Sequence, residues 1–107
     1  MKRGDLVVAV AQGDHGKPRP MLVIQGDTFD TEMVTLLPLT SALVEAPLFR
    51  VRVESSGTTG ISLPSQVMID TCITIRRSKV GKIIGQIDDR TMRSVSGLLA
   101  VFLGIAI

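Results

Sequence analysis

Tryptophan and tyrosine are absent from this chain, phenylalanine occurs three times, and cysteine and histidine occur once each. Each shortage excludes a class of protein. With so few aromatic rings a base-stacking sheet of the RNA-recognition-motif kind is not expected, so any nucleic-acid recognition must rest mainly on charge and hydrogen bonds, with one phenylalanine assisting. A lone thiol, Cys72, rules out an intramolecular disulfide and a multi-cysteine zinc site. It is expected as the buried thiol of a reduced, cytoplasmic protein. With a single histidine, His15, zinc ligands are lacking, and no carboxylate cluster resembles a magnesium cage. No glycine loop has P-loop or dinucleotide-binding spacing, and no nucleophile elbow accompanies His15 to suggest a hydrolase triad. The opening Met-Lys-Arg-Gly-Asp leads into only a short apolar segment, so no signal peptide is expected. The apolar tail, residues 97–107, is 11 residues long, too short to span a bilayer.

What is present reads as one globular domain, residues 1–107. Apolar residues make up 45% and charged residues 21%, enough for a single modest core. The net charge of +2 permits contact with nucleic acid without requiring it, because a local patch matters more than the total.

Residues 6–10 read as a first strand, and residues 11–17 as a turn-rich loop. Residues 21–25 form an apolar run suited to a strand buried on both faces. Residues 33–39 read as a third strand, broken near its end by Pro38. From Phe49 to Glu54 apolar and charged residues alternate strictly, as in a half-exposed antiparallel strand. Residues 55–60 are a polar loop. Residues 67–70 and 73–75 give one or two further strands, and residues 80–87 another after a basic segment. Asp88-Asp89 caps a helix in which Met92, Val95, Leu99 and Phe102 recur at helical spacing, with Ala106 continuing the stripe. Short strands followed by one terminal helix predict a small antiparallel barrel.

The chain is organised around Gly16-Lys17-Pro18-Arg19-Pro20-Met21-Leu22-Val23-Ile24. Both prolines fix their own φ and bias the preceding residue to extended backbone, so Arg19 is carried stiffly at the mouth of a strand. A guanidinium held there suits an anionic ligand; a solvated arginine at a strand entry is the plainer reading. Thr40-Ser41 and Asp70 are expected at other strand ends, where a small barrel can gather them at one mouth. An arginine with a hydroxyl fits phosphoryl chemistry on RNA, in which the substrate's own 2′-hydroxyl is the nucleophile.

These residues resemble the MazF/PemK/Kid family of bacterial toxins over nearly the whole chain. Arg3-Gly4-Asp5-Leu6-Val7, the stretch from Gly16 to Gln25, Pro38-Leu39-Thr40-Ser41, Val67-Met68-Ile69-Asp70 and Lys79-Val80-Gly81 follow the family's segments in order. The resemblance implies a mainly β fold with α: an SH3-like small antiparallel barrel of the CcdB/Kid type with a C-terminal helix. It implies the toxin of a type II toxin–antitoxin system, a metal-independent endoribonuclease without cofactors. Such an enzyme cuts single-stranded RNA, chiefly mRNA, to 2′,3′-cyclic phosphate and 5′-hydroxyl ends. It further implies a homodimer, neutralised by a small antitoxin, through which alone it would meet DNA.

Position by position, the resemblance makes Arg19 and Thr40 catalytic. An arginine is a poor general base, so Arg19 is expected to stabilise the pentacovalent phosphate and to help proton delivery to the leaving 5′-oxygen. Thr40 is expected to bond a phosphate oxygen or the 2′-hydroxyl. Asp70 matches an acidic position used by some members; the alternative is a strand-end carboxylate in a turn or ion pair. Met68 and Ile73 stand where relatives carry arginine, so neither a Kid-like Arg/Asp/His mechanism nor a base preference transfers. His15 could exchange a proton near neutral pH or be a solvated turn histidine, the reading preferred. Lys17, Pro20, Ser41, His15, Arg50, Arg76 and Arg77 are the expected RNA contacts. Some of the basic residues Arg50, Arg52, Arg76, Arg77, Lys79 and Lys82 would belong instead to an ordinary solvated face. Leu98, Leu99, Phe102, Leu103 and Ile105 cover more than one helix face, as a dimer contact would. Two alternatives share the fold: a CcdB-like toxin that binds DNA gyrase, and an inactive interaction module. The pair Arg19-Pro20 and Thr40-Ser41 belongs with the nuclease branch.

Overall fold

Seven antiparallel strands, one short 3-10 turn (Arg77–Lys79) and one α-helix are found among the residues that the computed structural model describes, 1–13 and 15–106. Asp14 and Ile107, part of the expected first loop and apolar tail, lie outside the described residues. The strands are β1 (Asp5–Ala9), β2 (Arg19–Val23), β3 (Met33–Thr40), β4 (Arg50–Val53), β5 (Ser65–Met68), β6 (Ile73–Arg76) and β7 (Ile83–Gln86); α1 spans Asp89–Phe102. They form one curved sheet in the order β4-β5-β3-β2-β1-β7, with β6 also on β3. The expected small antiparallel barrel with a terminal helix is what forms.

The apolar runs of the first three strands put alternate residues on two faces. Leu6, Leu22, Leu37 and Leu39 point into the main core with Val53, Val67, Ile69 and Val95. Val7, Met21, Val23 and Leu36 are buried on the other face. The β2 run is therefore covered on both sides, as its unbroken hydrophobicity required.

Two prolines sit inside strands at no cost in ladder bonds. Pro20 lies opposite Val8, whose N–H and C=O are engaged by Lys82 and Gly81, so Pro20 owes β1 nothing. Pro38 was expected to break β3, but the strand runs through it to Thr40. It stands between Leu36, the last residue paired with β6, and Leu39, the first paired with β5. There β3 changes neighbours, and a missing N–H is tolerated. This continuity places Thr40 on regular strand.

The two ends of the sheet meet through the loop after β4. Gln86 N–H donates to Thr58 O at 2.9 Å, and Gly60, at φ +70°, would place a Cβ 1.9 Å from Ile84 O. At Gly85 a Cβ would lie 2.2 Å from Thr59 O. Only glycines allow the loop to lie on β7.

Asp88 caps α1, accepting from Thr91 N–H at 2.6 Å. That bond and the Thr91 side chain hold the Asp88 carboxyl below its ordinary value. Val95 is fully buried, and Arg3 ties the helix to the residue that follows β2 by donating to Ile24 O and Ser96 Oγ. The expected stripe does not continue to Ala106, because α1 ends in a Schellman turn. Gly104, at φ +75°, donates to Val101 O and Ile105 donates to Ala100 O, which terminates the helix after Phe102.

Three further local expectations are corrected. Asp5, expected in the lead-in, is inside β1 and 3% exposed, its carboxylate accepting from Lys2 N–H and the Gln86 amide. Cys72 is exposed in the turn between β5 and β6 rather than buried, although nearby protein still desolvates the thiol and pushes its pKa up. Residues 69 and 70 form a turn that ends β5 at Met68.

Candidate active site

The Pro-Arg-Pro segment sets Arg19 as the first residue of β2, and the Pro38 crossover carries Thr40 to the last residue of β3. Met21 pairs with Pro38 and Leu22 with Leu37. Carried two residues further, this register sets Arg19 across from Thr40. Both line a cleft of about 290 Å³ with Lys17, Pro18, Pro20, Leu39, Ser41, Ile61, Ser62, Leu63 and Ser65.

The chemistry of the lining is that of an anion site. Arg19 supplies a planar set of donors and Lys17 a second positive charge. Thr40 Oγ1 accepts from Ala42 N–H at 3.1 Å, which folds the turn beyond it. The hydroxyl proton is left to donate into the cleft. Ser41 and Ser62 add exposed hydroxyls, while Ser65 Oγ is turned to Leu63 O at 2.9 Å and holds the rim. Leu63, Pro18 and Pro20 provide apolar surface beside these donors; Leu63 is 60% exposed.

Five of the sequence-derived candidates are thus gathered here: Arg19, Thr40, Lys17, Pro20 and Ser41. His15 and Asp70 do not line the cleft. His15 is exposed in the turn before it, in the left-handed region at φ 53°. Asp70 is exposed beyond the far end of β5 and accepts from Thr71 Oγ1 at 3.2 Å. Gln66 is opposite Thr40, so Asp70 lies four residues, roughly 13 Å, along the sheet.

Arg76 and Arg77 are further away. Met33, at the opposite end of β3 from Thr40, pairs with Arg76, roughly 23 Å away at the strand rise per residue. Arg76 is ion-paired with Glu32, while Arg77 Nε donates to Thr31 O at 3.0 Å with Asp30 at 4.0 Å. Both arginines pin the acidic loop after β2. Arg50 is half-buried on β4, donating to Gln66 Oε1 at 3.3 Å. Ser62, Leu63 and Ser65 carried no spacing signal in the sequence; they reach the cleft because the loop before them is seated on β7.

Among the described residues, no group of three or more His, Cys, Asp or Glu is placed to hold a metal ion. No described helix is long and apolar enough to cross a membrane.

Fold and cleft together define a small β-barrel with an arginine and a threonine on one cleft at the ends of adjacent strands. The chain belongs to the PemK-like, MazF-like toxins of type II toxin–antitoxin systems, whose family model matches residues 2–103. It is 44% identical, over 99% of both chains, to a Mycolicibacterium smegmatis protein named a probable endoribonuclease MazF. Its fold is that of the Mycobacterium tuberculosis toxin MazF-mt6, with a TM-score of 0.82 at 20% identity over 96% of this chain and 99% of that one. A mycobacterial endoribonuclease solved with its cognate antitoxin gives 0.81 at 21% identity, covering 100% and 98%. MazF in a MazE–MazF complex from Deinococcus radiodurans gives 0.77 at 25% identity over 97% and 96%.

Proposed function

We propose that this toxin is an endoribonuclease that cleaves single-stranded RNA by internal transesterification in the Arg19–Thr40 cleft. The observation that carries the reading is that Arg19 and Thr40 line one cleft together with Lys17 and Ser41. The substrate brings its own nucleophile. Its 2′-oxygen bonds to phosphorus, the P–O5′ bond breaks, the 2′-hydroxyl proton passes to water, and the 5′-oxygen takes a proton from water. The products are a 2′,3′-cyclic phosphate and a 5′-hydroxyl. Charge accumulates on the non-bridging oxygens of the pentacovalent phosphate, where fixed donors act most strongly. Arg19 donates to those oxygens and offsets the charge that grows on the leaving 5′-oxygen. Thr40 donates its hydroxyl proton to a phosphoryl oxygen. Lys17 and Ser41 hold the flanking strand. No step calls on a metal ion.

A cognate antitoxin and a second copy of the chain are the proposed partners, with the cytoplasm as the working compartment. A partner antitoxin is supported by the antitoxin-bound relatives of the same fold. The dimer is supported by the end of α1, where Val101, Phe102 and Leu103 are each more than half exposed and Ile105 is 77% exposed. Family placement, together with Arg19 and Thr40 in one cleft, does not favour the gyrase-binding or inactive-module readings. The test is purified protein with single-stranded RNA in EDTA: the wild type cuts, and Arg19→Ala leaves RNA intact while melting at the same temperature.

A further inference from the structure

Thr40 pairs with Gln66 on β5, and Gln66 pairs with Arg52 on β4. Continuing the β2–β3 register, Arg19, Thr40, Gln66 and Arg52 form one row across four strands. Directly opposed residues on antiparallel strands project to the same face. This face is turned away from the main core, since Leu39, Val67 and Val51 in the adjacent row pack there. Arg50, two residues before Arg52, shares it. At the strand spacing, the β4 arginines lie roughly 10 Å from Thr40.

Gln66 is engaged on both sides of its amide. Its Nε2 donates to Val44 O at 2.8 Å, and its Oε1 accepts from Val44 N–H at 3.1 Å and from Arg50 at 3.3 Å. It therefore clamps the segment that follows Thr40–Ser41 and steers the Arg50 guanidinium with one long bond. Arg50 Nε is buried and meets no acceptor among the described residues. That Nε is out of reach of solvent, so an incoming phosphate would meet the Nη groups of this half-exposed side chain. Arg52, by contrast, is ion-paired with Glu54 at 3.0 Å, and that carboxylate marks the end of the positive row.

We propose that Gln66 is a positioning residue that presents Arg50 to the RNA phosphate neighbouring the scissile one, so that the strand crosses the sheet along the Thr40–Gln66 row. The proposal rests on the endoribonuclease reading and adds the direction of the RNA on the surface. Gln66 acts through Arg50, and its loss is read in substrate binding rather than in the chemical step.

The experiment compares the wild type with Gln66→Ala, Arg50→Ala and the double variant. One assay is cleavage of unmodified RNA; the other is binding of a fully 2′-O-methyl single strand over a salt series. Gln66→Ala and Arg50→Ala should each raise KM about tenfold, the size of one charged hydrogen bond, with kcat within about twofold. Each should lower the slope of log K against log salt by about 0.7, one single-strand phosphate contact. The double variant should match Arg50→Ala alone. Additive losses, an unchanged slope, or a fall in kcat at unchanged KM would overturn the proposal. If Gln66→Ala does not fold, Gln66→Glu keeps the acceptor oxygen and neutralises Arg50, and must lower the same slope. Wild-type protein that leaves RNA intact would refute the nuclease reading, and the 2′-O-methyl binding series would still decide the role of Gln66.

Discussion

Replacing Gly85 with alanine should open the barrel where its two ends meet. The added Cβ would stand 2.2 Å from Thr59 O and 2.4 Å from Thr58 O, whereas ordinary contact begins at 3.4 Å. These are backbone atoms that no rotamer change can move, so loop and strand must part by about 1.2 Å, the difference between 3.4 and 2.2 Å. The Gln86 N–H to Thr58 O bond, now 2.9 Å, would stretch beyond bonding range. Losing it costs about 1 kcal/mol. Partial exposure of Ile61, which is 5% exposed and follows directly in the loop, costs about 1–2 kcal/mol more. Stiffening of the unfolded chain by alanine returns about 0.4–1 kcal/mol. The net loss is about 2 kcal/mol, or a fall in Tm of about 8–16 °C for a domain of this size. Ile61, Ser62 and Leu63 also line the cleft, so RNA cleavage should weaken below the new Tm. Gly57→Ala, with nothing within 4 Å of its Cβ, is the control and should be neutral in thermal melts. Equal melting of the two variants, within about 3 °C, would refute the closure argument.

Thr40→Val keeps the shape and removes the donor. Turnover should fall about 100-fold, the usual cost of one preorganised transition-state donor, while the lost acceptor for Ala42 N–H should lower Tm by no more than about 8 °C. The Asp88 carboxyl is held below its ordinary pKa, so the cap contributes above the unfolded-state pKa and is lost as pH falls through the lower folded value. Asp88→Ala should therefore melt below the wild type at pH 7, and the gap should narrow on acidification below about pH 4. Asp5→Ala removes the acceptor shared by Lys2 N–H and the Gln86 amide, and because Gln86 is exposed and can turn to water the loss should be about 1 kcal/mol by denaturant titration. Phe102→Glu, at the exposed end of α1, should shift sedimentation toward an 11.5 kDa species if the helix end is the dimer contact.

The barrel was largely legible because its strands carry their own pattern: unbroken apolar residues in β2 and strict alternation from Phe49 to Glu54. Arg19 and Thr40 were legible through local backbone chemistry and the family's motif order. What stayed hidden depends on long-range pairing. Pro38 reads as a break in isolation and becomes tolerable only because β3 changes partners there. Arg76 and Arg77 stand beside Glu32 and Asp30, more than forty residues earlier, a pairing that no local pattern in the sequence announces. Asp70 follows an apolar run like Thr40 does, but antiparallel pairing sends the end of β5 away from the end of β3. The role of Gln66 arises only from its register with Thr40 and Arg52.

The central claim is that Arg19 stabilises a phosphate attacked by its own ribose. Its most direct test is end analysis by mass spectrometry of RNA incubated in EDTA with wild-type and Arg19→Ala protein of equal melting temperature. The account predicts 2′,3′-cyclic phosphate and 5′-hydroxyl ends from the wild type and uncut RNA from the variant. Cleavage by Arg19→Ala at an undiminished rate, or 5′-phosphate ends from the wild type, would contradict it.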